Sequence, residues 1–155
     1  MVNTQKKNID YTRKDEPRII ILMYDEEKQL IGFQGRALDS SPNKYITIML
    51  QEDAPKIYGL DSINREKPIY IVEGPFDSTF VENGVAMCGA DVDVGSFGWS
   101  NYIWVLDNEP RNGEITNRIS KLIDRGEKVV IWPSNVTEKD INCLLYTSPS
   151  PRDNG

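Results

Sequence analysis

The second half of the chain alternates short apolar runs with polar segments, and this alternation limits the fold more than any other feature of the sequence. Four runs have the length of a β-strand, at residues 69–72, 85–88, 102–106 and 128–132. Apolar strands that alternate with helices favour a parallel sheet covered on both faces. The sequence therefore predicts an α/β domain over residues 67–142.

The clearest helix of this domain lies between the last two runs. Four apolar side chains share one helical face, since they fall at i, i+4, i+7 and i+8: Ile115, Ile119, Leu122 and Ile123. Asn112 is placed to cap the start of the helix, and Gly126 is placed to end it in the left-handed conformation. A shorter helix is predicted over residues 77–83, with Asp77 as its cap.

The preceding segment, residues 18–66, contains short β-rich runs separated by polar turn clusters, which favour a small antiparallel meander. Residues 1–17 are polar and rich in charge, and we expect them to be a flexible lead-in. Residues 143–155 form a Ser/Pro tail that resembles a translated sequencing adapter, so we expect the natural sequence to continue differently after Asn142. A natural disordered tail is the alternative.

The composition excludes several kinds of chemistry. The chain has no histidine, which excludes a Ser-His-Asp or Cys-His centre and a His-ligated zinc. Its two cysteines, Cys88 and Cys143, cannot form a four-cysteine site, so no zinc is expected in this chain. The net charge of −6 argues against a simple basic nucleic-acid binder. No apolar run is long enough for a bilayer and no signal peptide is evident, so a cytoplasmic protein is expected.

Acidic side chains directly follow two of the predicted strands. Glu73 comes after the first run, and Asp107 and Glu109 come after the third. Ligands of parallel sheets bind beyond the carboxyl ends of the strands, so these carboxylates are expected at one edge. Two carboxylates about 4 Å apart repel by roughly 4 kcal/mol at an effective dielectric constant of 20, and a divalent cation between them offsets that cost. Gly74 allows close approach of the backbone. The alternative is that each acid is a solvated loop residue.

The two acidic motifs resemble the signatures of the Toprim domain, which primases, topoisomerases and some nucleases share. These motifs are Glu73-Gly-Pro-Phe-Asp77 and Asp107-Asn-Glu109. The resemblance implies that Glu73 is the catalytic acid/base or a metal ligand, and that Asp107 and Glu109 bind Mg²⁺ (or Mn²⁺). The commoner form of the second motif is Asp-x-Asp, so Glu109 departs from it.

The upstream segment resembles the β-rich lobe that precedes Toprim in DnaG-type primases. The matching elements are Gly32-Phe-Gln-Gly-Arg36, Pro42-Asn-Lys-Tyr45 and Tyr58-Gly-Leu60. This resemblance implies that Arg36 and Lys44, with Tyr45 beside them, bind nucleotide or template. In this family a lysine usually lies a few residues before the Tyr-Gly-Leu element. Direct alignment places Asp53 at that position, and whether Lys56 takes the place of the lysine is left open.

Within this family, the chain most resembles the primases of T-even-type tailed phages and cyanophages. The similarity covers roughly residues 18–142 and includes the segments 72–78, 86–91, 105–111 and 131–142. In primases a further acid after the last strand contributes to the metal pocket, and Asp140 is the candidate here. Arg111 is a candidate for binding a triphosphate, with a surface ion pair as the alternative.

The resemblance implies a fold and a function. The expected fold is a Toprim domain, a parallel sheet flanked by helices, preceded by a small β-rich lobe. The implied activity is Mg²⁺-dependent synthesis of short RNA primers from ribonucleoside triphosphates on single-stranded DNA, with a replicative helicase as partner. Two alternatives stay open: another Toprim enzyme, such as a nuclease or topoisomerase, or a non-catalytic nucleic-acid-binding module.

Overall fold

The first sheet is an antiparallel meander, as the sequence predicts. The structure is a computed structural model that describes residues 16–88 and 92–147, the side chains of 145–147 excepted. Three strands follow one another in the order β1-β2-β3: β1 (Arg18–Tyr24), β2 (Leu30–Ala37) and β3 (Tyr45–Met49). Successive side chains of a strand point to opposite faces, so Gln34 and Arg36 of β2 lie on one face, opposite Thr47 and Tyr45 of β3.

The second sheet is mostly parallel and confirms the predicted fold class. Its strands are β4 (Ile57–Tyr58), β5 (Ile69–Val72), β6 (Gly84–Met87), β7 (Tyr102–Val105) and β8 (Lys128–Val129), in the order β4-β6-β5-β7-β8. Only β4 is antiparallel to its neighbour. The last strand ends at Val129, earlier than the predicted run 128–132. The division of the chain at residues 66/67 stays a prediction; β4, which precedes it, is hydrogen-bonded in the second sheet.

The long helix forms where the sequence predicts it. Helix α2 (Gly113–Asp124) begins after Asn112, whose side chain accepts a hydrogen bond from the Glu114 N–H. The chain leaves the helix through Gly126 at φ 76°. The apolar face is narrower than predicted, because Ile115 and Leu122 are buried whereas Ile123 is 54% exposed.

The predicted helix over residues 77–83 is wrong. The chain instead makes a single helical turn, α1 (Pro75–Ser78). Proline presets the backbone angle of a first helical position, and Gly74 occupies the cap without a side-chain bond. Asp77 therefore lies inside the first turn and does not cap it. A third helix, α3 (Ile141–Thr147), extends into the segment that resembles an adapter.

Three apolar clusters among the described residues hold the sheets in place, one of them within the second sheet. The largest packs the second sheet against α2 and includes Ile71, Val85, Trp104 and Leu122. A smaller one joins the two sheets through Met23, Ile31 and Cys88. Burying such side chains stabilises the fold by about 1.5–3 kcal/mol for each large residue.

Some predicted features lie outside the described residues. These are residues 89–91 of the segment 86–91, residues 1–15 of the lead-in and residues 148–155 of the tail. Within the described ranges, every helix is too short or too polar to cross a bilayer.

Candidate active site

A cleft of about 600 Å³ lies between the two sheets, and its walls carry opposite charges. The first wall comes from the meander and its connection to β4, and consists of Gln34, Arg36, Lys44, Tyr45, Thr47 and Lys56. The second wall comes from the loops that follow the strands of the second sheet, and its charged groups are Glu73, Asp77, Asp107, Lys139 and Asp140. We call these the basic wall and the acidic wall.

Glu73 and Asp107 meet on the acidic wall. Their strands β5 and β7 are parallel neighbours in which Val72 pairs with Val105, so both chains leave the sheet at the same edge. The Asp107 backbone N–H donates a hydrogen bond of 3.0 Å to Glu73 Oε2. The expected juxtaposition of these two side chains, 34 residues apart in sequence, is therefore present in the structure.

The acidic wall carries more negative charge than the neighbouring cations neutralise. Burial, the Glu73 charge and hydrogen bond, and the Asp77 charge raise the pKa of Asp107 to about 7, although Lys139 opposes the shift. Burial and the charges of Asp140 and Glu73 raise the pKa of Asp77 as well. A site with this excess of charge is suited to a cation.

The residues of the acidic wall suit a Mg²⁺ ion that water and substrate hold in part, rather than an ion that protein groups hold alone. Within residues 16–88 and 92–147, no three acidic or cysteine side chains form a cluster that could hold an ion alone. Mg²⁺ is usually bound through one or two carboxylates, several waters and the phosphates of a substrate. Glu73 and Asp107 supply such a pair.

Arg118 is a site residue that the sequence interpretation missed. Its Nη1 donates to Glu73 Oε1 at 2.9 Å, and its Nη2 lies 3.7 Å from Met87 Sδ. Glu73 thus has one oxygen on the Arg118 guanidinium and the other on the Asp107 N–H. The signal was available, because position 118 falls between Ile115 and Leu122 on the face of α2 that turns toward the sheet.

Two predicted residues, Glu109 and Arg111, do not line the cleft. Glu109 forms an ion pair with Lys139 Nζ at 3.1 Å and accepts a hydrogen bond from Asn112 Nδ2, and these contacts lower the pKa of Glu109. It does not line the cleft. Arg111 is exposed and does not line it either. Their roles in binding metal and triphosphate stay predictions, without support from position.

Asp140, Asp77 and Gly74 do line the cleft. Asp140 Oδ1 accepts a hydrogen bond from the Cys143 N–H at the start of α3. A Cβ atom at position 74 would lie 3.0 Å from Asp77 Oδ2, so glycine is what allows the Asp77 carboxylate to approach the backbone.

On the basic wall, Arg36 links the two halves of the molecule. Its guanidinium lies 4.6 Å from the ring centre of Phe76 in α1 and 5.7 Å from that of Tyr45 in β3. Cation–π contacts of this kind hold the charge in place without neutralising it. Lys44 and Lys56 line the same wall, and it is Lys56, not Asp53, that reaches the cleft.

The chain is similar in sequence to a phage DNA primase. No protein-family model matches it. The DNA primase of Enterobacteria phage T4 is 40% identical over 145 residues, which cover 92% of this chain and 41% of the phage protein. The chain thus spans about two fifths of the length of this curated relative. The predicted resemblance to primases of T-even-type phages is confirmed.

Solved structures show the same fold. A DNA primase domain from Pseudomonas aeruginosa superposes with a TM-score of 0.66 at 19% identity, covering 88% of this chain and 49% of that one. The DnaG primase catalytic domain bound to single-stranded DNA gives a TM-score of 0.62 at 19% identity, covering 88% and 51%. The chain is therefore related in sequence to a phage DNA primase and has the Toprim fold of the DnaG-type primase catalytic core.

Proposed function

We propose that this chain carries the polymerising centre of a DNA primase, which joins ribonucleotides on a single-stranded DNA template. The observation that carries the proposal is the cleft itself, in which a basic wall faces an acidic wall across one nucleotide-sized space. A nucleoside triphosphate with its cation complements both walls at once. A solvated acidic surface would not need the opposing cations.

The acidic wall would hold the cation that the reaction needs. Glu73 and Asp107 are its proposed ligands, with Mg²⁺ or Mn²⁺ as the ion and Asp140 beside them. A bound divalent cation stabilises the attacking and the leaving oxygen of an in-line displacement at phosphorus. Arg118 keeps the Glu73 carboxylate in one orientation, so the ligand pair is formed before substrate arrives.

The basic wall would hold the triphosphate. Arg36 offers a planar guanidinium that binds phosphate oxygens in pairs, and Lys44 and Lys56 add point charges on the same wall. Because Arg36 rests on two aromatic rings, its donors are oriented in advance. A primer 3′-hydroxyl, or that of the first nucleotide, would attack the α-phosphorus, and pyrophosphate would leave.

The proposed partners follow from the relatives. The matched DnaG catalytic domain is bound to single-stranded DNA, which supports a single-stranded template for this chain too. The resemblance to DnaG-type primases also suggests a replicative helicase as partner and the host cytoplasm as the place of action.

The experiment is primer synthesis from ribonucleoside triphosphates on single-stranded DNA with Mg²⁺ or Mn²⁺. We expect Glu73→Gln to reduce synthesis by about 100-fold or more, since it removes a charged group at the reacting centre. Glu52→Gln makes the same chemical change at an exposed position outside the cleft and should leave synthesis unchanged. Equal activity of Glu73→Gln and the wild type, or no incorporation with either ion, would contradict the proposal.

A further inference from the structure

One polar group in the cleft has no function in the site described so far. Gln34 is only 4% exposed, yet it lines the cleft two residues before Arg36 on the same face of β2. Its Nε2 donates a hydrogen bond of 3.2 Å to Thr47 Oγ1 on β3. Its carbonyl oxygen Oε1 is buried and has no hydrogen-bond partner in the structure.

A buried carbonyl without a partner is costly. A buried polar atom without a partner destabilises the fold by the full desolvation penalty of that atom. An apolar residue of the same shape carries no such penalty. Buried polar groups are nearly always hydrogen-bonded, so such an exception calls for a partner that arrives later. Because Gln34 lines the cleft, a ligand bound there is placed to supply the missing donor.

The geometry limits the donor. Residues i and i+2 of a strand are about 6.6–6.8 Å apart, so one nucleotide can reach Gln34 with its sugar or base while its phosphates meet Arg36. Thr47 fixes the amide, which leaves a single acceptor at a fixed place. The donors of the four bases lie at different positions, but the sugar hydroxyl is the same in every ribonucleotide.

We propose that Gln34 Oε1 accepts a hydrogen bond from the ribose 2′-hydroxyl of the incoming nucleotide, and so selects ribonucleotides over deoxyribonucleotides. This inference rests on the proposed function and names a specificity residue of the same cleft. A deoxyribonucleotide would leave the buried carbonyl unpaired in the complex. Sites built to bond a substrate hydroxyl reject analogues that lack it for this reason.

The experiment measures equilibrium binding of ATP, dATP, CTP and dCTP, each with Mg²⁺, by titration calorimetry. We expect the wild type to bind each ribonucleotide about tenfold more tightly than its deoxy analogue, the effect of one buried hydrogen bond. Gln34→Met keeps the length of the side chain and removes both the acceptor and the hydrogen bond to Thr47, so the ratio should fall to about one for both bases. Thr47→Val, which releases the amide, should reduce the ratio in part.

Two controls separate a binding effect from a folding effect. Gln51→Met makes the same change at an exposed position outside the cleft, and its ratio should equal that of the wild type. The melting temperature of Gln34→Met should lie close to that of the wild type, because removing the unpaired buried carbonyl offsets the loss of the hydrogen bond to Thr47.

The outcomes distinguish this inference from the proposed function. The inference fails, and the proposed function stands, if the wild type binds nucleotides and Gln34→Met keeps the same preference for ribose. The same conclusion follows if the wild type binds nucleotides without any preference for ribose. A preference that changes for ATP and not for CTP would assign Gln34 to the base and also overturn it. If the wild type binds no nucleotide at all, both proposals fail.

Discussion

The two walls of the cleft hold their functional groups by different means. On the acidic wall, Glu73 is fixed through both carboxylate oxygens, one on Arg118 and one on the Asp107 N–H. On the basic wall, Arg36 is held by ring contacts, and Lys44 is exposed. Glu73 and Asp107 directly follow parallel strands, where backbone geometry sets their positions, whereas Arg36 projects from β2 of the antiparallel sheet. Lys44 and Lys56 lie just before strands, on connecting segments. Glu73 therefore has more directional partners than Arg36 has, and we expect changes at the acidic wall to be the more damaging.

The largest effect after loss of Glu73 itself is expected from Arg118→Met. Groups that orient a metal ligand typically change affinity or activity by about 10–100-fold when they are removed. We expect primer synthesis to fall by that factor and to stay low at saturating Mg²⁺, because Glu73 loses its orientation. Arg118→Lys should restore part of the activity.

The control for this variant is Arg125→Met, which removes a guanidinium just after the same helix. It should leave synthesis unchanged, since Arg125 contacts the exposed end of α2 and Glu127 rather than the cleft. Full recovery of Arg118→Met at high Mg²⁺ would show that Arg118 affects only the affinity for the metal. Full activity of Arg118→Lys would show that only its charge matters. Either result would contradict the orienting role.

On the basic wall we expect a smaller effect from Arg36→Lys. Lysine keeps the charge but loses the planar stack between Tyr45 and Phe76 and the paired donors for phosphate. Losing one of the paired hydrogen bonds to phosphate costs about 0.5–1.5 kcal/mol, which corresponds to a loss of nucleotide affinity of about two- to tenfold. Titration of MgATP against the wild type and against Arg36→Lys measures this loss of affinity. Unchanged affinity would mean that Arg36 acts only as a point charge.

The smallest expected effect is a change in the melting temperature of Asp107→Asn, which tests the acidic wall in the absence of a ligand. The raised pKa of Asp107, about 7, means that the folded state binds this proton more tightly than the unfolded chain does. The associated stability is present at pH values below about 4 and is lost as the pH rises through about 7. In EDTA, Asp107→Asn should therefore melt above the wild type at pH 8, and the gap should narrow toward pH 5.

The size of this shift is limited because the Asp107 side chain is only half-buried and solvent screens part of the repulsion. A change of about 1 kcal/mol would move the melting temperature by about 2–4 °C. Mg²⁺ should raise the melting temperature of the wild type more than that of the variant. A wild type that melts above Asp107→Asn at pH 8 in EDTA would contradict the interpretation.

The features that local sequence encodes were predicted well. Strand-length apolar runs gave the parallel core, and Asn112 and Gly126 bound the long helix as expected. The meeting of Glu73 and Asp107 followed from the rule that parallel strands end at one edge. Helix α1 was misplaced because Pro75 sets the start of a turn more strongly than Asp77 caps one.

What sequence alone could not supply was the set of long-range side-chain contacts. Glu109 is two residues from Asp107, but it follows a tight turn and contacts Asn112 and the cleft residue Lys139 without lining the cleft itself. Arg118 reaches Glu73 across 45 residues, and Gln34 becomes a cleft residue only when the meander packs on the second sheet. Such contacts depend on the docking of whole elements, which no local pattern records.

The small cluster of Met23, Ile31 and Cys88 has a consequence for how the cleft can work. It seals the two sheets beside the cleft, and Cys88 also lines the cleft itself. Parting the walls would bring Met23 and Ile31 into water, at a cost of about 1.5–3 kcal/mol for each side chain. Because of this cost, we expect the two walls to keep their spacing when a ligand enters the cleft.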